Sequence, residues 1–145
     1  MSAPTAIPAG PFRRFAAIIY DSLLVIGLLM LATAVLLPFT HGEAIHAGNL
    51  PYRAYLALII FLYFALGWTR SGQTLGMKAW RIRVQQPDGR AIGWRQSLIR
   101  AAVAVLSWLS LGAGFLWSYI DGERRSWHDM ASGTQLVRLP KRRRR

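Results

Sequence analysis

Three apolar runs separated by polar segments set the expected architecture of the chain. The first extends from Phe15 to Phe39, and Asp21 is the only Asp, Glu, Lys, Arg or His among its 25 residues. A helix of that length exceeds the roughly 20 residues needed to cross a bilayer core of about 30 Å. A cleaved signal peptide is the alternative, but its apolar region is typically only about 7–15 residues long. The pattern therefore predicts a retained transmembrane helix over about 14–39.

The second apolar run is shorter and depends on its flanks. Residues 55–69 span a membrane only if the preceding residues join the same helix. The ends of the run carry residue types that suit the bilayer interfaces, namely Arg53, Arg70, Tyr52, Tyr55 and Trp68. A second span is therefore predicted over about 50–70, and the short loop before it makes a helical hairpin with the first.

The third apolar run, residues 97–120, is interrupted at Gly112-Ala113-Gly114. As one continuous helix it would be a third span and would place the basic C-terminal end on the far side of the membrane. As two short helices that meet at the glycines, it would be a re-entrant or interfacial hairpin that returns to its starting side. Non-helical backbone at that depth is tolerated where protein buries it or where it lines a wet cavity. We favour the re-entrant hairpin and keep the third span as the alternative.

Two segments outside the apolar runs favour β-structure. Residues 77–94 read as a strand, a turn at Asp88-Gly89 and a returning strand, which predicts a β-hairpin. The sequence "TQLVRL" near the C terminus predicts a further strand over about 134–139, which can pair with that hairpin. Such pairing requires both pieces on one side of the membrane, as the re-entrant arrangement provides.

The composition agrees with a membrane protein and the charge distribution orients it. Hydrophobic residues make up 53% of the 145 residues, the formal net charge is +12, and the mean hydropathy is +0.26. The basic residues lie mostly before the first run and after the second, while the loop between the runs has only Glu43 and Arg53 as unambiguous charges. The positive-inside rule then places the N terminus and residues 70–96 in the cytoplasm, as expected for a multi-pass inner-membrane protein. Since the basic blocks follow this topology, no nucleic-acid partner is expected.

The expected fold class is a mainly α membrane protein with two transmembrane helices, a Gly-broken third apolar segment and a small cytoplasmic β-hairpin that pairs with a C-terminal strand. Residues 1–12 form an N-terminal cytoplasmic tail, residues 13–139 the membrane domain, and residues 140–145 a polybasic tail. That tail is expected either to contact anionic lipid headgroups or to fix the topology as a solvated segment.

Asp21 is the least expected residue of the first span. Its side chain is too short to reach the headgroups, so it must be neutral, paired with another group, or exposed to internal water. Arg14 is seven residues earlier, which places it about 20° from the same helix face but about 10 Å away along the axis. Helical side chains lean toward the N terminus, so a direct bond between the two is not expected. Ala17, one turn before Asp21, leaves room for another helix or loop to approach this face.

The partner of Asp21 is therefore expected from later parts of the chain. The candidates are cations whose segments return to the same side of the membrane, namely Arg100, Arg124 and Arg125. A structural ion pair is one hypothesis. The other is a titrating carboxylate whose pKa is raised by burial and which carries a proton or coordinates a cation.

Four segments resemble the RDD family of small membrane proteins, named for one Arg and two Asp residues. They are "RRFAAIIYD", "SGQTLGMKAWRIRV", "PDGRAIGWRQSLIR" and "IDGERRSWHDMASGTQLV", which occur in the family's order and span residues 13 to 138. By this resemblance, Arg14 and Asp21 are the family's Arg and first Asp, and Asp129 is its second Asp. The glycine-containing motif after the second span corresponds to Gly72, Gln73, Thr74, Gly76 and Lys78. The resemblance implies an association with transport, including cation/proton exchange.

Asp129 and its neighbours have two open interpretations. Asp129 precedes a small-residue turn, "MASGT", so it is expected to cap that turn. Alternatively, if Arg14 approaches it, Arg14, Asp21 and Asp129 form a single functional charge cluster on the cytoplasmic side. His128 would act as a proton relay only if it shares that cavity.

The sequence contains only weak signals for anion binding, metal binding or catalysis. The segment Gly72–Lys78 could bind an anion, although a tight turn after the second span explains it equally well. His41, Glu43 and His46 are too few and too irregularly placed to predict a metal site. The chain has no Cys, phosphate loop, dinucleotide fingerprint or catalytic triad pattern. We therefore expect no enzyme activity, no cofactor and no metal.

Two function classes follow. The first is a transport component coupled to ions or protons through Asp21, with Arg14 and Asp129. It is expected to be a homo-oligomer or to have a membrane partner protein, since two spans do not easily enclose a pathway. The second is a non-transporting membrane scaffold or accessory subunit, in which the same charges hold the helices together.

Overall fold

The computed structural model describes residues 6–140, and two long apolar helices form its frame. Helix α1 (Pro11–Leu36) begins with Pro at its first position and continues into a 3-10 helix, Leu37–Thr40. Helix α2 (Leu50–Arg70) is capped at its N terminus by Asn49, whose side chain accepts a hydrogen bond from the backbone N–H of Tyr52. Both are long and apolar enough to cross a membrane, as the sequence predicted. We call the end at which α1 begins and α2 ends the basal end.

A tight turn at the basal end leads from α2 back against α1. Gly72 has a φ of +69°, a conformation that favours glycine, and a Cβ there would lie 2.5 Å from the carbonyl oxygen of Val84. Helix α3 (Leu75–Ala79) follows, with Thr74 as its N-cap through a bond from the Met77 N–H. The turn and the short helix place residues 74–76 directly on α1.

The two strands of the sheet come from distant parts of the chain. Strand β1 (Ile82–Gln85) pairs antiparallel with β2 (Gln135–Arg138), and Gln85 lies opposite Gln135. Pro8 adds an isolated bridge to β2. The C-terminal strand therefore lies where the sequence predicted it, at the basal end beside the end of α2.

The predicted β-hairpin over 77–94 is wrong. Residues up to Ala79 are helical, and the turn at Asp88-Gly89 closes with a 2.9 Å hydrogen bond from the N–H of Gln86 to the carbonyl of Arg90. No returning strand follows it within the described residues, because the chain enters helix α4 at Trp94. The predicted pairing with the C-terminal strand does form, but β1 is the one strand of this segment that takes part in it.

The third apolar run is broken where the glycines predicted. Helix α4 (Trp94–Leu109) and helix α5 (Ala113–Leu116), which continues into a 3-10 turn at Trp117–Tyr119, meet at an angle of 106°. Leu111 and Gly112 at the break have φ values of +57° and +79°. Helix α6 (Trp127–Ser132) follows and packs against α4. A single straight helix over the third apolar run, as the alternative of a third span would have it, is therefore absent from the described residues.

The interior is small and largely polar, while the outer helix faces are apolar. An apolar core gathers at the basal end around the sheet; its buried members are Ala9, Ala17, Trp68, Ile82, Val84, Ile92 and Leu136. By contrast, large apolar side chains along α1 and α4 are exposed, as for Met30 and Leu109, which are 70% and 76% exposed. This inside-out distribution is what a bilayer environment stabilises.

Candidate functional site

Asp129 of α6 and Arg100 of α4, the two most deeply buried charged residues among residues 6–140, meet at the basal end together with Arg14. The two carboxylate oxygens of Asp129 accept from different arginines: Arg14 Nη1 lies 2.6 Å from Oδ2, and Arg100 Nη1 lies 2.6 Å from Oδ1. The side chain of Asp129 is 0% exposed, that of Arg100 1% and that of Arg14 9%. We call Arg14, Arg100 and Asp129 the Asp129 cluster. It connects the first turn of α1, the first half of α4 and α6.

Local sequence explains how Asp129 is held in place. Ser126 and Asp129 form a capping box at the start of α6, in which Asp129 Oδ2 accepts from the Ser126 N–H at 3.1 Å and from its hydroxyl at 2.9 Å. The Asp129 side chain therefore caps the start of α6 rather than the turn that follows it, and it does so while paired with both arginines.

The arginines of this cluster have further partners. Arg100 Nη1 also donates to Thr134 Oγ1, and its guanidinium lies 5.0 Å from the ring centre of Trp68. Arg14 donates to the carbonyls of Ala9 and Arg124. These bonds satisfy most of the polar atoms that burial has removed from water.

The electrostatics fix the charge state of this region. Burial alone would raise the pKa of Asp129, but the charges of Arg100 and Arg14 outweigh it and hold the pKa of this carboxyl well below its usual range. Burial, aided by Arg100 and Arg14 and opposed by Asp129, lowers the pKa of His128 to about 3. Asp129 is therefore an anion and His128 a neutral imidazole at physiological pH, which disfavours His128 as a proton relay.

Asp21 lies in a second, separate polar group. Its Oδ1 accepts from the Tyr63 hydroxyl at 2.7 Å and from the Gly76 N–H at 2.9 Å, and its Oδ2 accepts from the Thr74 hydroxyl at 2.5 Å. Asp21 is 3% exposed. We call Asp21, Tyr63, Thr74 and Gly76 the Asp21 cluster. It joins α1, α2 and α3 through one carboxylate and three neutral donors.

Close backbone contact makes this arrangement possible. A Cβ on Gly76 would lie 2.5 Å from the carbonyl oxygen of Ala17 and 2.8 Å from Asp21 Cγ. The small Ala17 side chain does admit another element here, and that element is α3. Only a glycine brings the backbone N–H of α3 within hydrogen-bonding distance of Asp21.

The arginine partners predicted for Asp21 are wrong. Arg100 binds Asp129, and Arg125 forms ion pairs with Asp121 at 3.2 Å and with Glu123 at 3.1 Å. Arg124 contributes its carbonyl oxygen to Arg14, and no carboxylate within residues 6–140 pairs with its guanidinium. Helix α4 packs against α6 and α2, whereas the element that packs on α1 at Asp21 is α3.

A single cluster of Arg14, Asp21 and Asp129 does not form. Arg14 and Asp129 are hydrogen-bonded to each other. Asp21 lies about two turns further along α1 and is bound by donors from other elements, such as Tyr63. The spacing argument that separated Arg14 from Asp21 agrees with this arrangement.

The glycine-containing segment after α2 serves mainly to build the Asp21 cluster. Gly72 makes the turn, the Gln73 side chain donates to the carbonyl of Ile82 at 2.8 Å, and Thr74 and Gly76 bind Asp21. Lys78 is exposed. The tight-turn interpretation accounts for the first residues of the segment.

Sequence reasoning missed Tyr63. A buried tyrosine usually places its hydroxyl on a hydrogen-bond partner, so a Tyr within an apolar helix was an available signal. That signal did not name Asp21, because Tyr63 lies 42 residues later on a different helix.

The two clusters border one cleft of about 520 Å³ between α1, α2, α4 and α5. Asp21, Arg14, Arg100 and His128 line it together with apolar side chains. The site is therefore an intramembrane-type cleft with polar groups at its basal end.

Two helices long and apolar enough to cross a membrane, with exposed apolar side chains, are typical of a small helical membrane protein. The family model of the RDD family matches residues 8–133, and the chain belongs to that family. No curated protein and no solved structure gives a significant match.

Proposed function

We propose that the protein is a component of a membrane transport system, in which Asp21 is the group that carries a proton or a small cation. The observation that supports this role is the set of partners of Asp21: a hydroxyl of Tyr63, a hydroxyl of Thr74 and the N–H of Gly76. All three are neutral, and no Lys, Arg or His within residues 6–140 forms an ion pair with Asp21.

Neutral partners leave the charge of Asp21 open to change. Because Asp21 forms no ion pair within residues 6–140, binding a proton or a cation there would not require an ion pair to break. The two hydroxyls can rotate, so Tyr63 and Thr74 can turn from donors into oxygen acceptors for a proton or ligands for a hard cation. The Asp21 cluster thus has the chemistry of an exchange site.

Asp129 has the opposite properties. Two guanidiniums hold it as an anion, so neither proton nor cation binding is expected there near neutral pH. Under this proposal Arg14 and Asp129 support the site by fixing the basal end of α1, and only Asp21 changes its charge.

The proposal includes a topology. We place the protein in the inner membrane with the N terminus cytoplasmic, because the basic residues lie at the basal end. We also propose that α4 and α5 form a re-entrant hairpin. The pairing of β1 with β2 and the ion pair of Arg14 with Asp129 support it, since both require the chain after α5 to return to the basal end.

An assembly is part of the same proposal. Two spanning helices and the α4–α5 hairpin border the cleft on only some of its sides. A pathway across the membrane has to be enclosed by more helices than one copy of the chain supplies. We therefore propose a homo-oligomer or a complex with another membrane protein. No enzymatic step is involved.

Ion flux in proteoliposomes tests the role of Asp21. Native protein is expected to dissipate a Na⁺, K⁺ or H⁺ gradient, and Asp21→Asn is expected to abolish that flux. The amide oxygen can still accept from Tyr63 and Gly76, and its NH₂ can donate to a rotated Thr74 hydroxyl, so the variant should insert and fold like the native protein. Only the charge is lost.

The matched control is Asp88→Asn, the same exchange in the exposed turn before α4, where the carboxylate pairs with Arg90. It should transport like the native protein. Equal flux in Asp21→Asn and native protein would contradict the proposal.

The second candidate function is a non-transporting scaffold or accessory subunit. The fully buried Asp129 cluster favours it, because such a cluster rigidly joins three elements of the fold. This candidate predicts no flux above that of empty vesicles in native protein, and loss of assembly when the cluster is broken.

A further inference from the structure

The cleft beside the two clusters is larger and more apolar than the exchange chemistry requires. Its volume of about 520 Å³ lies within the roughly 300–1,000 Å³ typical of small-molecule sites. Apolar side chains of α1, α2 and α4 line most of it, including Val25, Ile60 and Val105. A ligand of matching shape would be largely hydrocarbon.

The cleft opens sideways, toward the surface that faces lipid. Three of its lining side chains, Phe15, Val105 and Leu116, are 59%, 58% and 58% exposed. They lie on α1, α4 and α5 respectively. A hydrocarbon chain can therefore enter directly from the bilayer.

The basal end of the cleft has buried polar atoms without partners. Arg100 Nε and His128 Nδ1 have no hydrogen-bond partner within residues 6–140, although both residues line the cleft and Arg100 is 1% exposed. The Ser126 hydroxyl donates to Asp129, so it accepts from His128 Nε2–H, which leaves Nδ1 as an unpaired acceptor. Both atoms are buried in residues that line the cleft, so a small movement of these side chains would bring them to a ligand that has an acceptor and a donor.

The charge of this end selects an anion. Two guanidiniums share one carboxylate in the Asp129 cluster, which leaves one net positive charge there. Arg124 Nη1 lies beside Gly10, next to Pro11 at the same end of the cleft. Arg124 is exposed and has no carboxylate partner within the described residues.

We propose that this cleft binds one acyl chain of an anionic phospholipid, whose headgroup lies at the basal end against Arg100, His128 and Arg124. Phosphate oxygens match the guanidinium donors, and a headgroup hydroxyl matches His128 Nδ1. The helix of a second copy is the less suitable occupant, because an apolar helix face would leave Arg100 Nε unpaired and the positive charge uncompensated.

Native mass spectrometry of the purified full-length chain in detergent tests the proposal. We expect a one-to-one complex with phosphatidylglycerol and at least tenfold less retention of phosphatidylcholine. Ala104→Trp fills the cleft, because Ala104 lines it, and should lower phosphatidylglycerol retention at least tenfold. Ala102→Trp is the matched control, since Ala102 is exposed on the same helix and does not line the cleft. It should retain the lipid like native protein.

A fluorescence measurement covers the case in which Ala104→Trp fails to fold. Trp68 and Trp108 line the cleft, so brominated phosphatidylglycerol diluted into phosphatidylcholine vesicles should quench native fluorescence at least twice as much as brominated phosphatidylcholine at the same dilution. Equal retention or equal quenching of the two lipids would overturn the proposal. A lipid-free dimer would overturn it in favour of a second copy. Neither readout depends on ion flux, so the transport proposal is tested separately.

Discussion

Replacing Asp129 with Asn is expected to lower the free energy of unfolding by about 3–5 kcal/mol, the cost typical of breaking a buried ion pair from one side. Asp129 is the only carboxylate that pairs with Arg14 and Arg100 within residues 6–140, and all three side chains are at least nine-tenths buried. In the amide, one guanidinium would face an NH₂ group, so that two donors oppose each other. Unfolding in detergent micelles, followed by circular dichroism, measures the loss.

Asp88→Asn is the control for this result as well. The ion pair of Asp88 with Arg90 is exposed, with side chains 45% and 76% accessible, and exposed pairs contribute little. No measurable change is expected. A double-mutant cycle tests the Arg100 ion pair specifically. Asp129→Asn should lower the free energy of unfolding clearly less in an Arg100→Met background, because only one buried guanidinium is then left without a carboxylate. Equal costs in both backgrounds would mean that the ion pairs do not stabilise the fold.

Gly76→Ala is expected to have the second largest effect. Its methyl group would lie 2.5 Å from the Ala17 carbonyl oxygen, so α3 must move away from α1 and the bond from the Gly76 N–H to Asp21 must lengthen. Overpacking and the loss of a hydrogen bond to a buried carboxylate together cost about 3 kcal/mol or more. The thermal unfolding midpoint in micelles should fall accordingly.

Gly27→Ala is the matched control, the same exchange on α1 at a position with nothing within 4 Å of the added atom. It should leave the midpoint unchanged or raise it slightly, since Ala favours the helix. A similar midpoint for both variants would show that α3 does not pack on α1 through Gly76.

The long apolar elements could be predicted from the sequence because their signal is local. The length and composition of the 25-residue run that contains Asp21 are enough to predict a spanning helix. The conformational freedom of Gly112 is enough to predict a break in the third run. The C-terminal strand was found in the same way. Its pairing with the segment after α2 was predicted as well, but the expected returning strand does not form, because tertiary packing rather than local pattern decides which segments join a sheet.

The partners of Asp21 could not be predicted from charge alone. Opposite charge favoured Arg100, Arg124 and Arg125, yet the carboxylate is satisfied by Tyr63, Thr74 and a backbone N–H. Neutral donors are common in every sequence, so their presence carries no signal until the fold brings them together. The close approach of Gly76 decides the outcome, and it depends on the backbone of α3 rather than on any charge.

The Asp129 cluster and the charge at the basal end of the cleft require the chain after α5 to return to that end, and a cysteine pair tests this directly. Gln85 and Gln135 lie opposite each other in the sheet, and paired strand residues are about 4.5–5.5 Å apart, within disulfide range. The chain has no cysteine of its own. In native membranes treated with copper phenanthroline as the oxidant, Gln85→Cys combined with Gln135→Cys should form an intramolecular disulfide, whereas Gln85→Cys combined with Gly48→Cys, in the loop before α2, should not. If the first pair does not cross-link and a membrane-impermeant maleimide labels positions 85 and 135 from opposite sides, the third apolar segment crosses the membrane and the returning arrangement is contradicted.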